Sequence, residues 1–125
     1  MGSTGERELV DQWRDLMTCY NKVACDLDRE LQDQHGLGLS EFEALDRLIE
    51  SGQEKLRMHE LAEGMYLSQS AFSRTVARLE RAGLVGRSMC MDDRRAMFVR
   101  ATDDGRARHA AARDTHRKVL GDHLG

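Results

Sequence analysis

The sequence has no proline. A chain of 125 residues without the residue that breaks helices, and rich in leucine, alanine, arginine and glutamate, leans strongly helical. It has no apolar run long enough to span a bilayer and no signal-peptide pattern at its start, so a cytoplasmic protein with no membrane partner is expected. Cysteines are few and odd in number: Cys19, Cys25 and Cys90, none in a CxxC pair. That excludes a disulfide framework and a zinc ribbon, and reads the three as small buried or half-buried residues in a reducing compartment. Also absent are a G-x-S-x-G elbow, a P-loop, a dinucleotide fingerprint and a metal-ligand pair. No catalysis, cofactor or metal is therefore expected. The length fits one compact domain.

What is present is an uneven charge. The formal net charge is -3, yet residues 1–66 carry -8, residues 67–100 carry +4 and residues 101–125 carry +1. Local polarity says more about partners than the total does.

Apolar residues at Leu9, Trp13, Leu16, Met17, Tyr20, Val23, Ala24, Leu27 and Leu31 recur every three or four positions and predict a long helix over residues 7–34. Such a helix outgrows a small core, so part of its stripe is expected to pack on another chain. "HGLGLS" ends it. "SEFE" reads as a capping box with Ser40 as N-cap, opening a second helix whose inner face is Phe42, Leu45, Leu48 and Ile49. "SGQEK" is a loop, and a short third helix spans residues 58–64. Ser68 caps a fourth helix that ends at the C′ glycine Gly83. "LVGRSMCM" and "AMFVRA" then read as two strands joined through "DDRR". Thr102 caps a last helix bearing Ala107, Ala110, Ala111, Val119 and Leu120. His109, His116 and His123 recur on it every seven residues, too far apart to chelate one ion within the helix, and are read as surface or interface histidines.

The fourth helix carries the functional signal. At 100° per residue, Phe72, Val76 and Leu79 fall on one side, and Ser70, Arg74, Ala77, Arg78 and Arg81 on the other. A short helix precedes it across a tight turn, which makes a helix-turn-helix whose second helix suits a major groove. Small residues let the axis approach the bases, and arginine matches phosphate oxygens or a guanine edge. A solvated face of ordinary charges is the plainer reading of an isolated helix. Against it stand the all-arginine face and a following hairpin whose tip bears Arg94 and Arg95. A helix with a basic hairpin beside it is a winged helix-turn-helix.

The stretch "LAEGMYLSQSAFSRTVARLERAGLVGRSMCMDDRRAMFVRATDDG" resembles the MarR (multiple-antibiotic-resistance regulator) family. It has the leucine-alanine helix, the serine-capped helix with "SR", "LE..GLV", a wing with D-x-R and a "T-x-x-G" helix start, in that order. The resemblance implies a mostly α fold with a small β-hairpin wing. Residues 1–36 would be an N-terminal dimerisation helix, 37–101 the winged helix-turn-helix region and 102–125 a C-terminal dimerisation helix. It also implies a homodimer on a pseudo-palindromic operator in double-stranded DNA, usually a repressor released by a small-molecule effector. Ser68, Gln69, Ser70, Ser73, Arg74 and Arg78 would match the positions that touch bases or phosphates. Arg95 would match the wing arginine entering the minor groove, and Asp93 the acid that orients it. Trp13, Met17, Tyr20, His35 and Phe42 are candidates for an effector pocket or the dimer interface. Some relatives sense peroxide through a cysteine on the first helix, but Arg14 occupies that place here. "GDHLG" matches the turn before a final helix, which is then missing, so weak dimerisation is expected. The alternative, from another class, is a winged-helix protein-interaction module or a truncated partner of a full-length regulator.

Overall fold

The N-terminal acidic third builds the longest element. In the computed structural model, which describes residues 2–89 and 97–125, α1 runs Gly2–His35. Only its C-terminal half meets the rest of the chain: Val23, Leu27 and Leu31 are buried, whereas Leu9, Trp13, Leu16 and Tyr20 stay 60–69% exposed. Cys19 and Cys25 are exposed thiols, not the buried or half-buried residues expected, because they lie off the packed face of α1.

Helix α2, Leu39–Glu50, begins two residues earlier than the Ser40 cap predicts. Gly38 is the N-cap, and its N–H donates to the Glu41 carboxylate at 2.9 Å. Asp28 of α1 accepts from Leu39 N, also at 2.9 Å, so an acceptor distant in sequence sets the register. Phe42, Ala44, Leu45 and Leu48 are the buried face of α2 and the centre of the core.

A two-residue strand, β1 (Leu56–Arg57), follows the "SGQEK" loop, where no strand was expected. Helix α3 spans Met58–Ala62 and α4 spans Gln69–Arg81. Strands β2 (Val85–Met89) and β3 (Met97–Ala101) complete a three-stranded antiparallel sheet in the order β1-β3-β2. Leu56 and Arg87 both pair with Val99, and Val85 pairs with Ala101. Residues directly opposite share a face, and here the shared face is the one that closes the core.

Helix α5, Asp103–Leu124, packs on α1 and α2. Its buried positions are Gly105, His109, Ala112 and Val119; the predicted Ala107, Ala110 and Ala111 face out. "GDHLG" is not a turn before a missing helix. The segment continues α5 to Leu124, held by His123 Nε2 donating to Asp26 Oδ2 at 2.7 Å and by Val119 packing on Val23 and Leu27. Among the described residues no helix is long and apolar enough to cross a membrane.

Candidate nucleic-acid interface

The turn from α3 to α4 is built by local chemistry. Ser68 adopts an extended backbone and its Oγ accepts from Ala71 N at 3.2 Å, so α4 starts at Gln69. Gly64, at φ +81°, makes the turn. A Cβ there would occupy the space of the Arg47 guanidinium, which donates to the Glu63 carbonyl at 2.6 Å. One arginine of α2 thus holds the turn that aims α4.

Helix α4 buries Phe72, Thr75, Val76 and Leu79. Thr75 spends its hydroxyl on the Ala71 carbonyl, 2.9 Å away, so the buried face carries no unpaired polar group. Ser70, Arg74, Arg78 and Arg81 are exposed opposite it, Ser73 is exposed on its flank, and Ser68 and Gln69 are exposed at the start of the helix. Six of the predicted DNA-contacting residues, Ser68, Gln69, Ser70, Ser73, Arg74 and Arg78, are thus exposed along α4 and its cap. Asp93, Arg94 and Arg95 lie outside the described residues.

Sequence reasoning missed the positive groups beside that surface. Arg57 enters through β1 and lines, with His59, Gln69, Ser73 and Met97, an open cavity of about 580 Å3 between α3, α4 and the sheet. Lys55 Nζ stands 4.3 Å from the Phe98 ring centroid and Arg57 Cζ 5.8 Å from it. A short strand paired across about forty residues leaves no local periodicity to read.

The remaining predicted residues divide. Tyr20 and His116 line a second cavity of about 450 Å3 with Ser40, Glu43, Arg47 and Tyr66, between α1, α2, α5 and the α3–α4 turn. Phe42 is fully buried; its ring stacks with His109 at 5.6 Å and meets the tilted ring of His116 at 4.6 Å. His35 Nε2 lies 2.7 Å from Thr115 Oγ1. Trp13 and Met17 do not line this cavity. Burial raises the Glu43 carboxyl, with the Asp46 charge adding to it.

The histidine stripe is internal to the chain. His109 is buried and donates to Asp46 Oδ1 at 2.7 Å. Asp46, Glu50 and His109 bring donor atoms within 4.8 Å of one another. Arg117 sits 3.4 Å from Asp46 and Arg113 3.6 Å from Glu50, so both carboxylates already have cationic partners. Burial holds the His116 imidazolium pKa below its ordinary range, and Arg117, 3.0 Å from Nδ1, adds to the shift. Native His116 therefore resists a proton that the unfolded chain accepts. Its contribution to stability is full above the unfolded pKa of about 6.5 and is lost as pH falls below it. The melting temperature is expected to fall between about pH 7.5 and 5.5, and by less in His116→Gln. Equal falls in both proteins, followed by circular dichroism, would remove this role.

Comparison with known proteins gives three findings. A family model described as the MarR family matches residues 35–96. No protein of curated description matches. Among solved structures, Sco3205, a MarR family transcriptional regulator from Streptomyces coelicolor in complex with DNA, is 32% identical with a TM-score of 0.86, over 96% of this chain and 74% of that one. AbsC, a MarR family transcriptional regulator from the same organism, is 30% identical with a TM-score of 0.82, over 90% of this chain and 76% of that one. Bordetella bronchiseptica BpsR, whose DNA binding is regulated by 6-hydroxynicotinic acid, shares the fold at 20% identity and a TM-score of 0.81, over 92% of this chain and 85% of that one.

Proposed function

This chain belongs to the MarR family and is a DNA-binding transcriptional regulator, not an enzyme, and we propose that it acts as a homodimeric repressor of a pseudo-palindromic operator. The observation that carries this reading is α4 itself: serine hydroxyls and three arginines are exposed along it, while Phe72, Val76 and Leu79 are buried on its other side. Two such helices, one per protomer, enter successive major grooves about 34–36 Å apart. The family resemblance assigns Arg95 to the flanking minor groove, where a narrow A·T tract favours a cation, and Asp93 to orienting it. Titrating salt tests the docking. Log K for duplex binding is expected to fall with log salt by about 0.9 per neutralised phosphate, whereas a flat response contradicts phosphate contact.

The second protomer is assigned to the bare half of α1. Leu9, Trp13, Leu16 and Tyr20 form an apolar stripe that this chain leaves uncovered, and Leu124 at the far end of α5 is 66% exposed. Trp13→Asp places a charge in that stripe and is expected to raise the dimer dissociation constant by at least about tenfold. Sedimentation velocity across a concentration series reads this; an unchanged constant puts the interface elsewhere.

Release is assigned to the cavity beside Tyr20 and His116, because its walls come from both the α1/α5 layer and the turn that aims α4. BpsR, with its 6-hydroxynicotinic acid response, is the precedent for effector control. A ligand there acts only through unequal affinity for the two spacings of the α4 pair.

A further inference from the structure

An acid stands near the end of α4, on the flank between its buried side and its arginine face. Glu80 is half-buried, and its Oε1 accepts two hydrogen bonds from Arg87 of β2, from Nη2 at 2.7 Å and from Nε at 3.1 Å. The Arg87 and Glu80 side chains are 31% and 39% exposed, so the pair is open to solvent and its two-bond geometry is what distinguishes it from a single surface contact. Arg87 holds the Glu80 carboxyl below its ordinary range, and Glu80 raises the guanidinium in return, so both stay charged at neutral pH.

The position of Arg87 is unusual for its type. It pairs directly with Val99, which is fully buried, and lies two residues from buried Val85. Position 87 therefore belongs to the face of the sheet that turns toward α4, where the strand pattern calls for an apolar side chain. The backbone corner between helix and strand is held by Leu84 N donating to Leu79 O at 2.9 Å and Gly83 N to Glu80 O at 3.0 Å. Both bonds stop at the corner. Beyond it β2 is an edge strand, with β3 as its one neighbour in the sheet. Arg87 is the side chain that reaches from this edge back to the helix.

We propose that Glu80 and Arg87 form a strut that fixes the angle between the recognition helix and the strand leading into the wing, making both positioning residues for simultaneous docking in a major and a minor groove. The proposal rests on the DNA-binding reading above. It carries a sign that electrostatics alone reverses. Removing a carboxylate from the flank of the helix that faces DNA strengthens its attraction to phosphate, so Glu80→Gln should bind more tightly if charge is all that matters. The strut requires the opposite.

The test compares the parent, Glu80→Gln, Arg87→Gln and the swapped double variant Glu80→Arg/Arg87→Glu on the duplex that the parent enriches from a random library. Each single variant is expected to bind about five- to tenfold more weakly, in line with loss of a charge-assisted pair. Hydroxyl-radical protection should fade over the flanking minor grooves and persist at the central major grooves. The swapped pair should restore affinity to within about threefold of the parent. Glu80→Gln binding as tightly as the parent, or tighter, overturns the strut and leaves Arg87 as a direct phosphate contact. Loss of flanking and central protection together, in step with a lower melting temperature, makes the pair a general fold contact and also overturns it. A parent that enriches no duplex overturns the DNA-binding reading itself, and the strut's role with it.

Discussion

Replacing Arg74 with alanine is expected to weaken binding to the preferred duplex by roughly a hundredfold or more, with little change in folding. One bidentate arginine contact to a base edge is worth about 1–3 kcal/mol, and a two-fold dimer loses it twice. Arg74 is exposed at the middle of α4, directly opposite buried Val76 and Leu79 in the helical projection, so its removal costs no core contact. Arg78→Ala, one turn further on, should show the same sign. The two differ in kind if Arg74 reads a base and Arg78 a phosphate: the first relaxes sequence preference, the second weakens all duplexes alike and flattens the salt slope by about one contact per protomer. Fluorescence anisotropy on preferred and scrambled duplexes separates these results. Parent-like affinity in Arg74→Ala would place the DNA on another face.

The second large effect concerns the fold that carries this face. Gly105→Ala is expected to destabilise the protein by about 3 kcal/mol, although alanine is the better helix former by roughly 1 kcal/mol. The sign is set by packing. A Cβ at Gly105 would run into the Leu84 carbonyl oxygen, a backbone atom that cannot swing aside. Around this point the start of α5 is welded to the end of α4. Thr102 N donates to Leu84 O at 3.0 Å, Thr102 Oγ1 donates to Gly83 O at 2.7 Å, and Thr102 Oγ1 accepts from Gly105 N at 3.0 Å. The T-x-x-G pattern is thus the joint between the DNA-reading helix and the helix that returns to α1. A urea titration giving Gly105→Ala at or above parental stability would contradict the close approach.

These two residues also mark how far the sequence could be read. Ser68, Gly83 and Thr102 were legible because capping is local chemistry: a hydroxyl three residues ahead of an N–H, or a glycine where φ must be positive. The apolar face of α4 was legible from its 3.6-residue period. The start of α2 was not, since Gly38/Glu41 and Ser40/Glu43 both offer a glutamate three residues on, and Asp28 of another helix decides between them. The inner face of α5 was only partly legible, for a related reason. Alanines mark no face by themselves, while His109 looks polar until Asp46 of α2 and Phe42 are seen against it. Strand β1 and the cations Lys55 and Arg57 were missed because a two-residue strand exists only through its long-range partner. The Glu80–Arg87 pair crosses a helix-to-strand corner, where neither helical nor strand spacing predicts contact.

The central claim is that two α4 helices read one inverted repeat, and selection from a random duplex library at physiological salt tests it most directly. The account predicts enrichment of an inverted repeat with half-site centres about 10–10.5 base pairs apart, flanked by A·T-rich minor grooves. Binding without any enriched sequence, or no binding at all, would contradict it and favour a winged-helix module that recognises protein instead.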